Sequence, residues 1–134
     1  MASKFPGKNA QNLTADMVSE ATCTDNGDTY TVFIKMNSTD QAPDDGTNTS
    51  CILPTVDESE VTAAAGSMVK LEGFANDYVG GNITATIDKA SGRITHIETD
   101  CPSYMKFTKA GVAFITVDNC RIGLEYQTKW DVNY

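Results

Sequence analysis

The chain has 134 residues, with 18 Asp and Glu against 10 Lys and Arg and a formal net charge of -8. That length is one ordinary domain with a single core, and a 40% hydrophobic fraction is too high for a disordered tail. The acidic balance opposes binding to phosphate backbones, and no run approaches the roughly 18 apolar residues of a membrane span, so neither nucleic acid nor a membrane is an expected partner.

Residues 1–12 read as a flexible N-terminal arm, and residues 13–134 as a single β-domain. Lys4 and Lys8 flank Phe5-Pro6-Gly7 with no acidic neighbour before Asp16, which makes Lys4, Phe5 and Lys8 candidate contacts to an acidic partner. Removing the arm is expected to spare the fold. Residues 1–11 hold no apolar run of the signal-peptide kind, so synthesis without a leader is expected. Leu13, Met17 and Val18 stand at helical spacing behind Thr14 as a possible N-cap, which predicts one short helix within residues 14–21. Asp25-Asn26-Gly27-Asp28 is turn chemistry. Beyond it, Tyr30, Val32, Ile34 and Met36 alternate with Thr31, Phe33 and Lys35, the pattern of a strand over residues 29–36. Residues 37–50 lack any apolar period and predict a long exposed loop. A short strand over 51–56, confined to an edge or bulge by Pro54, an acidic turn at 57–60 and a strand over 67–74 follow.

In the second half, Ile83, Ala85 and Ile87 alternate with Thr84, Thr86 and Asp88, Lys89-Ala90-Ser91-Gly92 turns the chain, and residues 93–99 return. A hairpin is predicted from 104–108 and 112–117 around Ala110-Gly111. Cys120, Ile122, Leu124 and Tyr126, continued by Trp130, Val132 and Tyr134, then share one face, with Arg121, Glu125, Lys129 and Asp131 on the other. Strands this regular, without alternating helices, predict an all-β domain: one antiparallel β-sandwich or barrel, immunoglobulin-like forms included, with at most one short helix.

Ala85-Thr86-Ile87-Asp88, Ser91-Gly92 and Ile94-Thr95, followed by Ala110-Gly111, Ala113 and Ile115-Thr116-Val117, give residues 82–119 a pattern that resembles the C-terminal half of a bacterial immunoglobulin-like repeat of the group 2 type. The resemblance implies an adhesive or decorating module of the kind carried by bacterial surface proteins and phage structural proteins, with no catalytic residues to carry over. Here residues 96–109 stand between the two elements, where such repeats have only a few residues, and this predicts an added strand.

Cys23, Cys51, Cys101 and Cys120 are even in number without C-x-x-C spacing, which disfavours a metal cluster and leaves disulfides or reduced thiols. A two-residue turn at Ala110-Gly111 sets Cys101 opposite Cys120, within disulfide range, with Cys23 and Cys51 as the second pair. His96 is the only histidine and has no nucleophile motif beside it. Asp25, Asp28, Asp40, Asp44 and Asp45 could gather oxygen ligands for calcium but lack EF-hand spacing, so solvated loops are the commoner reading. Asn12, Asn37, Asn48 and Asn82 each begin an Asn-x-Ser/Thr triplet, expected by chance in so Thr-rich a chain. Tyr126, Trp130 and Tyr134 make either a sugar-stacking strip or, by preference, core or subunit-interface residues.

No catalytic, cofactor or metal residues are therefore expected, and the chain is not expected to be an enzyme. The leading expectation is a non-catalytic structural or interaction protein, foremost a virion decoration or cement protein, homo-oligomeric and bound to a larger assembly such as a phage capsid shell. The alternative is a secreted or surface-displayed binding module for carbohydrate or a receptor. Either places the protein on a virion or outside the cell.

Overall fold

Apolar alternation turns into strand after strand in the computed structural model of the chain, which describes residues 6–40 and 45–134. Of these residues, 54% lie in strands and 14% in helical turns, so the expected all-β class is the one observed. Strands β1 (Val18–Asp25) and β2 (Thr29–Met36) form a hairpin, α1 (Glu58–Ala65) is the one α-helix among the described residues, and β3 (Val69–Glu72), β4 (Ala75–Tyr78), β5 (Asn82–Asp88), β6 (Ile94–Val112) and β7 (Ile115–Asp131) complete the set. All seven strands join one antiparallel sheet, consistent with a sandwich- or barrel-like all-β fold.

The 19-residue β6 is its spine. Along one edge it takes β5 at residues 94–100, β4 at 103–106 and β3 at 109–112; along the other it pairs with β7 from His96 to Val112. β2 then pairs with β5, and β1 with β2. Alternate residues of β6, namely Ile97, Thr99, Cys101, Ser103 and Phe107, are buried. Their partners on β7 include Trp130, Thr128, Tyr126, Leu124 and Cys120, which therefore share that face.

The core on this face is closed by chain with almost no regular structure. Cys51, Ile52 and Leu53 are at most 3% exposed and pack with Met36, Tyr78, Ile83, Ile97 and Cys101, while Leu13 and Met17 pack against the same cluster. Backbone hydrogen bonds hold this cover in place: the Gly7 amide donates to the Ile52 carbonyl at 3.0 Å, and Asn37 donates to the Met17 carbonyl at 2.9 Å. The Asn12 side-chain amide donates to the Gly46 carbonyl at 2.8 Å. Beneath it the Tyr78 hydroxyl accepts from the Val56 amide and from Asn76 Nδ2, each at 3.0 Å.

Several expectations are corrected here. Residues 14–21 are not a helix: a single 3-10 turn at Ala15–Met17 leads straight into β1, and the helical spacing of Leu13, Met17 and Val18 reflects packing of a cover segment. Residues 51–56 are not a strand, since Asn48–Cys51 is a 3-10 turn and the segment after it runs buried across the core. In the loop at 37–50, residues 41–44 lie outside the described residues, and Gly46, Thr49 and Ser50 are buried rather than exposed. The expected acidic turn at 57–60 opens α1 instead, capped by Asp57, whose carboxylate accepts from the Glu60 amide at 2.9 Å while Glu60 accepts from the Asp57 amide at 3.1 Å.

The expected strand at 67–74 is β3 alone, ending before Gly73, where φ is +66° and the Thr108 side chain occupies the space a Cβ would need; β4 beyond it was not expected. The hairpin around Ala110-Gly111 does not exist. β6 runs unbroken past it, and the turn lies at Ala113-Phe114, with Ala113 at φ +54°. The strand expected from residues 96–109 is part of this same continuous element. Of the supposed arm, Lys4 and Phe5 lie outside the described residues, whereas Gly7 to Asn12 are tied to the cover by the bonds above.

A cover that closes the core should be as sensitive as a strand. Leu53→Ala is expected to cost about 2 to 5 kcal/mol, like other large-to-small core changes, although Leu53 lies in no strand. Thermal melting checks this, and an unchanged midpoint would place Leu53 outside the cooperative core.

Candidate interaction surface

Beyond Phe107 the sheet narrows to a three-stranded tab made of β3, the end of β6 and the start of β7. Its register sets Val69, Val112 and Ile115 in one cross-strand row and Leu71, Ala110 and Val117 in the next. Directly paired side chains project from the same face, so two rows of three apolar residues form a continuous patch. The opposite face of the tab carries Lys70, Glu72, Lys109, Thr116 and Asp118. The apolar face stays open: Val112, Ile115 and Val117 are 48, 71 and 50% exposed, and Phe114 at the turn projects fully into solvent. Met68, just before β3, is 79% exposed. At the root of the tab the Phe74 and Phe107 rings meet with centroids 5.6 Å apart, beside a groove of about 530 Å³ whose lining includes Lys106, Cys120 and Arg121.

The far end of β6 and β7 has the opposite character. His96 Nδ1 lies 2.7 Å from Asp131 Oδ1 and Nε2 lies 3.1 Å from Glu98 Oε1, while Lys129 Nζ is 3.1 Å from the same Glu98 oxygen. The hydrogen bond to Asp131, then that to Glu98, holds the imidazole pKa above its ordinary value, and the bonds from His96 and Lys129 hold the Glu98 carboxyl below its own. This is a charged cluster in which the histidine is paired to carboxylates on both sides.

The three aromatic residues read as core or interface by preference, and otherwise as a strip, part company. Tyr126 and Trp130 are half-buried against the core, and Tyr134 alone is exposed, with its hydroxyl donating to the Ile94 carbonyl at 3.0 Å and Arg93 stacked 4.5 Å above its ring. A sugar-stacking strip would need all three rings free. Lys8 is exposed.

The cysteine pairing drawn from the hairpin is overturned with its register. Cys101 stands opposite Tyr126 and Cys120 opposite Phe107, and all four cysteines are free. Burial pushes the Cys101 thiol up to about 12, and burial followed by the charge of Asp45 raises that of Cys51. Cys51 Sγ sits 3.3 Å from the Gly46 carbonyl, whereas Cys23 is exposed on β1.

The acidic residues are used locally. Asp25 pairs with Lys89, and Asp45 accepts from the Thr47 amide and hydroxyl; Asp44 lies outside the described residues. Among the described residues no group of three His, Cys, Asp or Glu is placed to hold a metal ion, and no helix is long and apolar enough to cross a membrane. Comparison of the chain with protein families, with curated proteins and with solved structures found no match.

The apolar run from Val112 to Val117 was visible in the sequence, but only the register shows that it aligns with Val69 and Leu71 to make a surface.

Two measurements check the chemistry of these sites. Because the folded pKa of His96 lies above the unfolded one, the stability it contributes is complete below the unfolded value and is lost as pH rises through the folded value. Proton NMR should therefore show His96 titrating above about 6.5, and His96→Gln should remove that component from the pH dependence of melting. A thiol reagent should modify Cys23 rapidly in the native protein, and Cys51 and Cys101 only on unfolding; fast labelling of Cys101 would contradict its burial.

Proposed function

We propose that this chain is a non-catalytic structural and interaction protein that decorates or cements a virus particle such as a phage capsid, working as a homo-oligomer. The observation that carries this reading is the open apolar face of the tab. Contiguous exposed apolar surface rimmed by charge is the usual mark of a protein-protein interface, because each Å² removed from water is worth roughly 25 cal/mol. Phe114 and Ile115 are its natural anchors, since large apolar side chains that seat in a partner's pocket carry a disproportionate share of binding energy. The net charge of -8 supports the reading from the other side, by keeping the free protein from associating nonspecifically until a complementary surface receives it. The particle itself is inferred from the resemblance of residues 82–119 to immunoglobulin-like group 2 modules. Catalysis has no part in this reading.

Phe114→Asp together with Ile115→Asp tests it. Both side chains are solvent-exposed, so melting should move by no more than about 0.5 kcal/mol, whereas co-sedimentation with particles assembled in the same host should be lost. Full retention on the particles would sink the reading.

A further inference from the structure

The outer edge of β7 is a second open surface, distinct from the tab. Among the described residues β7 pairs only with β6, so no strand lies along the far edge of this 17-residue element. Natural sheets blunt such edges with proline, bulges, short strands or charged side chains, and of these β7 carries the charges, Arg121, Glu125 and Lys129 among them. β7 contains no proline, and its backbone irregularity is confined to Asn119, at φ +54°, which leaves residues 120–131 as a regular edge.

We infer that two copies of this chain pair antiparallel through β7, about a two-fold axis at Gly123, to make one sheet continuous across both subunits. Three features of the strand point to that axis. First, it sets Arg121 opposite Glu125 of the second copy, twice, on one face of the sheet. Second, it sets Ile122 opposite Leu124, twice, on the other face; these are 42 and 40% exposed and gain apolar partners. Third, the residue on the axis has no side chain. The Tyr104 ring lies 3.3 Å from where a Gly123 Cβ would stand, and the Arg121 guanidinium stacks 3.8 Å above that ring, so the cation is already ordered on the face it would use.

Two kinds of alternative fare worse. One at Glu125 would set that carboxylate against its own copy and Arg121 against Lys129. An axis between residues would oppose the apolar face to the polar one, because a one-residue slip exchanges the faces. Pairing about a two-fold axis is self-complementary and closes at two subunits.

This deepens the oligomeric part of the function proposed above, yet it needs no particle: the pairing is a property of the chain alone. Sedimentation equilibrium on the full chain should give a dimer. Glu125→Arg and Arg121→Glu should each weaken it on the order of tenfold or more by opposing like charges, and the double exchange should restore it. Circular dichroism reports whether each variant is folded, and recovery in the double variant keeps the test decisive if a single one is not. The dimer should survive Phe114→Asp with Ile115→Asp. A monomer at ~0.1 mM, a trimer, indifference to both single reversals, or dissociation caused by the tab variant would each overturn the inference. A dimer that fails to bind particles would sink the particle reading and leave this one standing.

Discussion

Both edges of one strand carry this structure. Because β6 pairs with β7 along one side and with β5, β4 and β3 in succession along the other, its position sets the register of the strands beside it. A single antiparallel sheet has two faces to manage, and one of them must be shielded from water. Here the shield consists of residues 6–17 and 45–57, whose backbone groups bond to one another and to the strand ends in place of a second ladder. The core depends on that arrangement: without Ile52 and Leu53 above them, Ile83 and Ile97 would face solvent.

The cover and the tab patch lie on opposite faces of the sheet. Trp130 and Tyr126 are half-buried on the covered face, whereas Val112, Ile115 and Val117 project from the other face and stay open. The sheet thus ends in a tab whose aliphatic content would be a liability in a protein with no partner. The polar cluster of His96, Glu98, Lys129 and Asp131 sits at the opposite end, near the β5–β6 turn, and answers a different need by pairing charges across two strands.

Period two made β2, β5 and most of β7 legible from sequence, since Tyr30 to Met36, Ile83 to Ile87 and Cys120 to Trp130 alternate cleanly. The β6–β7 turn was misplaced because Ala110-Gly111 offers glycine while the positive φ is borne by Ala113; once the turn moved, every cross-strand partner moved with it, including those of Cys101 and Cys120. α1 announced itself through Asp57 and Glu60 at capping-box spacing, but none of its residues is buried, so no apolar stripe accompanied the signal. Residues 45–56 were illegible for a deeper reason. The buried ones, Gly46 and Thr49 to Thr55, are covered by what lies beneath them rather than by their own periodicity, and a segment of that kind has no local signature. The tab required the same long-range information, because Val69 and Leu71 sit about 40 residues from their neighbours in the patch.

The length of β6 and β7 also decides how the molecule would bear a load. Both strands run from the turn at Ala113-Phe114 into the body, so a pull on the tab is transmitted through two covalent backbones rather than across hydrogen bonds. Resistance then comes from the ladders joining β6 to β5 and β4, which such a pull drags lengthwise. In that geometry the bonds of a ladder strain together instead of parting one at a time, and the tab is tethered as a rope is by a splice.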